Sequence, residues 1–207
     1  MLLEAQEGNW DELDLMVRTF QNANMAMRYA AVPVVIAPVG LALGGGCEMV
    51  LHADRVQAAA ETYIGLVETG VGLIPAGGGT KEMVARAGKD IERDMQRVFE
   101  TIGLAKVSTS AANARQLDYL RDCDRVSMNR DRLIADAKAL ALARVAEGYQ
   151  APARRSVAQR HPAAVRHPAH RHAGIACGVQ GGVDLFDVCV EALRRIERPR
   201  RIALAGQ

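Results

Sequence analysis

Two glutamates, Glu48 and Glu68, stand beside glycine runs in the stretch Pro38–Thr80, PVGLALGGGCEMVLHADRVQAAAETYIGLVETGVGLIPAGGGT. Glycine runs let backbone N–H groups approach a ligand closely, and a helix N-terminus behind them favours negative charge. Two carboxylates brought to one cleft are what general acid–base work at a neutral carbon centre requires. Each would need partial desolvation, which raises a carboxyl pKa towards the working pH. The same glycines would also suit turns that only let a helix pack close to a sheet, and Glu68 would also suit a loop between turns. Glu48 is less open to the plain interpretation: Met49, Val50 and Leu51 follow it, so its helix face is not wholly solvated.

Two further side chains in this stretch carry less chemistry. Cys47 has no histidine near it in a nucleophile pattern and reads as a small packing residue. His52 lies one helical turn after Glu48 without metal-ligand spacing around it, and reads as a structural histidine. No metal site is expected, and no G-x-G-x-x-G dinucleotide motif occurs, so no NAD binding is expected of this chain.

The elements that must position the glutamates follow from patterning. Trp10–Tyr29 reads as an amphipathic helix, with Leu13, Val17, Phe20 and Met27 at helical spacing. Asn9 is the expected N-cap, with Glu12 completing a capping box. Pro33 ends that helix and starts the extended run Val32–Ala37. Arg55–Ala59 and Thr62–Gly65 are strand candidates, and Lys81–Ala87 and Asp90–Leu104 helix candidates, the latter with Met95, Val98, Phe99 and Ile102 on one face. Ser110 is placed to cap a short helix, and Arg130–Gly148 reads as a long helix closed by Gly148.

The paired motifs resemble the crotonase (enoyl-CoA hydratase/isomerase) superfamily from about Asn9 to Tyr149. A strand leads into Gly40–Glu48, matching G-x-A-L-G-G-G-C-E, which opens a helix at Cys47–His52. Glu68, then Thr69–Ile74, then Pro75-Ala76-Gly77-Gly78-Gly79-Thr80 match the family's second glutamate and its P-G-A-G-G-T loop. The resemblance implies an α/β fold, a partial crotonase fold of ββα repeats with C-terminal helices. It implies that the Gly45 N–H polarises a thioester oxygen, that Glu48 and Glu68 are the catalytic pair acting on water and the α-carbon, and that the Ala76 amide helps hold that water. Ala76 departs from the family's usual glycine, and the N–H survives provided alanine tolerates the local dihedrals. Near the short helix, Asn113 stands where glutamate is usual and Asp118 where glycine is usual.

The activity so implied is syn hydration of a trans-2-enoyl-CoA in fatty-acid β-oxidation. The alternatives are double-bond isomerisation, and a non-catalytic remnant acting only as an interaction module. The substrate carries coenzyme A, and no other cofactor is implied. The expected partners are the acyl-CoA thioester, further copies of the chain in a homo-oligomer, and a dehydrogenase domain upstream in a parent protein. The last follows from L-L-E-A-Q-E-G-N-W-D-E-L at the start, which resembles bacterial bifunctional dehydrogenase–hydratase proteins. On the same resemblance, the first repeats, a first oxyanion donor in a motif like F-S-A-G, and much of the CoA nucleotide pocket are expected upstream of Met1.

Composition bounds the rest. With 207 residues, 49% hydrophobic content and a net charge of +2, the chain can bury one core and is a poor match for nucleic acid. Its four cysteines form no CxxC pair, no signal peptide opens the chain, and no run of ~20 apolar residues occurs, so a soluble cytoplasmic protein without a membrane span is expected. Residues 1–150 are expected to form the crotonase-like domain. From Ala151 to Gln207 the composition turns to Arg, His, Pro and Ala, and a largely disordered tail is expected, with one short helix over Asp184–Ile196. His161, His167, His170 and His172 lie there without the convergence a designed metal site needs. This tail resembles no crotonase ending, which suggests a reading-frame change near Gln150.

Overall fold

A computed structural model describes residues 2–86 and 91–154. The expectations for the tail, its helix and its histidines lie outside the described residues. Two helices open the chain, α1 (Leu2–Glu7) and α2 (Trp10–Arg28). Strands β1 (Val35–Ile36) and β2 (Leu41–Leu43) lead to α3 (Gly45–His52). Strands β3 (Arg55–Ala59) and β4 (Tyr63–Gly65) lead through a 3-10 turn, Glu68–Val71, to α4 (Gly79–Arg86). Helices α5 (Ile91–Gly103) and α6 (Ala111–Gln116), strand β5 (Arg125–Ser127) and helix α7 (Leu133–Ala146) complete it.

The strands form two parallel sheets. One has the order β1-β3-β5 and the other pairs β2 with β4, in the register Leu41↔Tyr63 to Leu43↔Gly65. Successive strand pairs therefore contribute one strand to each sheet, the ββα repeat expected above. Parallel neighbours need a crossover, and α3 supplies it between the first pair and the second. Helix α3 is apolar on most of its surface because it is enclosed, packing against β2, α2 and α4. Cys47, Val50 and Leu51 join Val56, Ala58, Ile64, Leu66, Met83 and Tyr119 in one core.

Several sequence expectations need adjustment. The extended run 32–37 pairs only at Val35–Ile36, and α4 begins two residues earlier than Lys81. Asn9 sits at the N-cap of α2 but its side chain caps nothing: its Nδ2 donates to Glu4 and Glu7 instead. The preceding helix α1 brings those carboxylates within reach of Nδ2, and the side chain is oriented by them rather than by the α2 backbone. On α5, Val98 is buried but Phe99 is 76% exposed, so the apolar face is narrower than its spacing suggests.

Helix ends carry a second lesson. Both α5 and α6 close with the paired bonds of a Schellman motif, Lys106 N–H to Thr101 O and Ala105 N–H to Ile102 O in one, Tyr119 N–H to Ala114 O and Asp118 N–H to Arg115 O in the other. The left-handed position is Ala105 (φ +48°) in the first and Asp118 (φ +62°) in the second. Glycine is usual there, and α7 uses it at Gly148. At the start of α6, Ser110 accepts from the Asn113 N–H as expected, while Asn113 Oδ1 accepts from Thr109 N–H.

Candidate active site

The site is assembled where α3 and α4 begin. Residue Gly44, in the left-handed region at φ +54°, turns the chain from β2 directly into α3, and its N–H is tied to Gly65 O of β4. That turn leaves Gly45 as the first helical residue, so its N–H has no acceptor within the helix and faces outward at the positive end of the dipole. The Phe20 ring, from α2, packs against the Gly45 backbone and leaves no slack for a side chain there.

Glu48, one turn into α3, is 3% exposed. Its Oε1 accepts from the Gly79 N–H at 2.8 Å, the first residue of α4, and the Gly77 N–H also bears on the carboxylate. Burial nonetheless dominates. It pushes the Glu48 carboxyl up to about 7, against the two backbone donors, with the charge of Glu68 adding to the rise. Gly77 must be glycine for a packing reason, since a Cβ there would run into Glu48 Oε2 and the Phe20 ring at once.

Glu68 opens the 3-10 turn, half-buried, with Oε1 against Gly44 and Oε2 buried without a hydrogen-bond partner. Burial raises its carboxyl pKa too, although its own N–H and that of Val67 pull the other way. Its place is set by the residues just before it. Ile64 exchanges hydrogen bonds with Ser108, and the buried Tyr119 hydroxyl accepts from Leu66 N–H while donating to Lys106 O at 2.8 Å. Ala76 sits in the turn before α4 with an ordinary negative φ, so the alanine is tolerated.

The fold thus brings Gly45, Glu48 and Glu68 to the mouth of one helix, with Ala76 in the loop that holds Glu48. Three residues of α2 that patterning alone did not single out for the site join them. Gln21 Nε2 donates to Ala76 O at 2.7 Å, Asn24 Nδ2 donates to Gly77 O at 2.9 Å, and Phe20 lies against both glycine motifs. The available signal was polar residues interrupting an apolar helix stripe, since Gln21 and Asn24 follow Val17 at helical spacing.

Beneath the carboxylates lies a compact charge cluster. His52 Nδ1 is 2.7 Å from Glu48 O, which can only accept, so Nδ1 carries the proton and Nε2 accepts from Lys81 Nζ at 3.1 Å. Burial and the adjacent Lys81 hold His52 neutral, its pKa lowered to about 4. Glu82 is buried, which would raise its pKa, but Lys81 at 3.0 Å and Arg28 at 3.5 Å outweigh that and keep it ionised. The cluster ties α2, α3 and α4 together and fits the structural role expected of His52. Among the described residues no group of three or more His, Cys, Asp or Glu is placed to hold a metal ion, and no helix is long and apolar enough to cross a membrane.

The profile of the enoyl-CoA hydratase/isomerase family matches residues 2–110. A Bacillus subtilis protein named as a probable 3-hydroxyacyl-CoA dehydrogenase is 47% identical over 160 residues, which are 76% of this chain and 20% of that protein. A Rickettsia felis protein, provisionally named as a fatty acid oxidation complex trifunctional enzyme, is 33% identical over 144 residues, 70% of this chain and 20% of its own. The chain therefore spans about a fifth of the length of these relatives. Among solved structures, an enoyl-CoA hydratase from Bacillus anthracis superposes with a TM-score of 0.55 at 26% identity, covering 64% of this chain and 47% of that one.

Proposed function

The chain belongs to the enoyl-CoA hydratase/isomerase family, and on that premise we propose that its site adds water across the 2,3 double bond of a trans-2-enoyl-CoA. The observation that carries this is the clamped, buried Glu48, its carboxyl near 7, facing the same helix mouth as Glu68. The Gly45 N–H donates to the thioester oxygen, which makes the β-carbon electrophilic and stabilises the enolate as it forms; one such donor is worth about 3 kcal/mol of barrier. One glutamate takes a proton from the attacking water while the other delivers a proton to the α-carbon, and a carboxyl near neutrality suits that exchange. The Ala76 amide helps hold the water.

Two carboxylates at the site favour hydration over isomerisation, which needs a proton moved between two carbons and no water held. The setting proposed is fatty-acid β-oxidation, supported by the names of the Bacillus and Rickettsia relatives. The partners proposed are a dehydrogenase domain in a longer parent protein and further copies of this chain. A homo-oligomer is supported by the exposed apolar side chains Ile134, Leu142 and Val145, which recur at helical spacing along α7.

The test is loss of the enoyl-thioester absorbance when the chain meets crotonyl-CoA, with product identification. Hydration abolished in Glu68→Gln supports the proposal. A shifted double bond without water incorporated would replace it with isomerisation, and a folded chain without turnover would leave only an interaction role.

A further inference from the structure

We propose that Gln21 is a positioning residue for Glu48, acting through the peptide plane between Ala76 and Gly77. Gln21 grips the Ala76 carbonyl at 2.7 Å, and in a trans peptide the N–H of the next residue points the opposite way. That N–H belongs to Gly77, whose backbone lies so close to Glu48 that a Cβ there would run into Oε2, and it favours the ionised carboxylate. Asn24, fully buried one turn further along α2, holds the following carbonyl, Gly77 O, at 2.9 Å. Two successive carbonyls of the loop are thus pinned by one helix, and the opposite face of the loop offers its N–H groups to Glu48, Gly79 at 2.8 Å among them. The Phe20 ring wedged against Gly77 keeps the loop from sliding along α2. Within the proposed reaction, which this inference rests on, Gln21 would set how readily Glu48 gives and takes its proton while touching neither water nor substrate.

The groups that face Glu48 leave room for such control. From the 3-10 turn Glu68 adds negative charge; from α3 itself the thiol of Cys47 is buried beside it and neutral His52 bonds its backbone carbonyl. On α4, Lys81 and Glu82 are engaged with His52 and with each other, and α2 presents only the uncharged Phe20, Gln21 and Asn24, its Arg28 being paired with Glu82. No cation is paired directly with the Glu48 carboxylate in these contacts, so beside burial and the charge of Glu68 the aim of the backbone N–H groups acts on its proton.

The experiment is a carboxyl-carbon NMR titration of Glu48 in the full chain, with the Gly77 amide proton followed in parallel. In the unaltered protein the Gly77 amide is expected to shift with the same midpoint as Glu48. Gln21→Met keeps the volume and removes the donor; it should raise the proton affinity of Glu48 about 3- to 10-fold, because a hydrogen bond to the ionised form is weakened. It should also uncouple the Gly77 amide from the titration. An unchanged midpoint in folded Gln21→Met overturns the proposal. Should that variant not fold, a Gly77 amide in the unaltered chain that ignores Glu48 overturns it just as well. Neither readout needs turnover: both shifts without crotonyl-CoA hydration would remove the hydratase assignment and leave Gln21 in its role. With turnover present, kcat should fall about 10-fold with KM little changed.

Discussion

Glu48 and Glu68 reach the same helix mouth but are held in opposite ways. Glu48 is 3% exposed and gripped by backbone donors from the loop into α4, whereas Glu68 sits half-buried at the start of a 3-10 turn with Oε2 unpartnered. A buried carboxylate oxygen without a donor is costly in a folded protein unless something arrives to satisfy it. The contrast is one of partners: one carboxyl is held by the backbone around it, and the other has an oxygen that the described residues leave without a donor. Burial raises both pKa values, so the difference lies in the partners rather than in the direction of the shift.

The sharpest way to break that contrast is to neutralise each member. Glu48→Gln and Glu68→Gln should each lower crotonyl-CoA hydration by about 10²–10⁴-fold, the usual worth of a positioned acid or base. Steady-state rates at fixed pH measure this, and a variant retaining most of its activity would remove that glutamate from the chemistry.

Stability offers a second handle, through Glu48. A carboxyl raised from the ordinary 4.5 to about 7 binds its proton more tightly in the folded chain than in the unfolded one. Glu48 therefore supports the fold fully below pH 4.5, and that support is lost as pH rises through about 7. The loss by pH 8 is roughly 3 kcal/mol, at the upper end because part of the burial relaxes. Denaturant melts of the chain and of Glu48→Gln should diverge as pH rises from 5 to 8, the variant becoming the more stable. Parallel curves would mean that Glu48 is not buried as described.

Packing around Glu48 offers a third handle. Gly77→Ala places a methyl against Glu48 Oε2 and the Phe20 ring, and overpacking of this kind costs about 1–3 kcal/mol. The same change at Gly46, where nothing lies within 4 Å of an added Cβ, should be nearly silent in a thermal melt, or slightly stabilising within a helix. Equal effects at the two positions would contradict the close approach of α2 to the loop.

The smallest expected effect lies away from the site. Ala105→Gly and Asp118→Gly relieve left-handed conformations at the ends of α5 and α6, each worth about 1 kcal/mol before the added freedom of the unfolded chain is subtracted. Asp118 also pairs with Arg97 at 2.7 Å, so its gain should be the smaller of the two. Ala105→Gly lowering the melting temperature would contradict the Schellman geometry.

Much of this was readable in the chain itself. Strand β3 was expected at Arg55–Ala59 and is found there, at the position where the ββα repeat of the resemblance needs a strand. The ordered pair G-G-G-C-E and P-A-G-G-G-T carried the resemblance that implied the ββα repeat, and the strand pairing follows that repeat. Less was readable where a polar side chain had more than one set of partners within reach. Asn9 had a capping partner three residues away in sequence, yet the fold offered carboxylates from α1 and it took those.

The sequence alone determined which residue types meet at the helix mouth, because the glycines and glutamates lie within one short stretch and their spacing survives any arrangement of the rest. Only the tertiary structure decided how Glu48 is held. The residues that pin its loop, Gln21 and Asn24, come from a helix more than fifty positions earlier in the chain, at sequence separations of 55 and 53. Their contacts are to backbone carbonyls, which every residue possesses, so the two polar positions on the α2 stripe stand out in the sequence but their partners do not. A peptide plane gripped on one edge presents its N–H on the other, and that geometry exists only once α2 has packed against the turn.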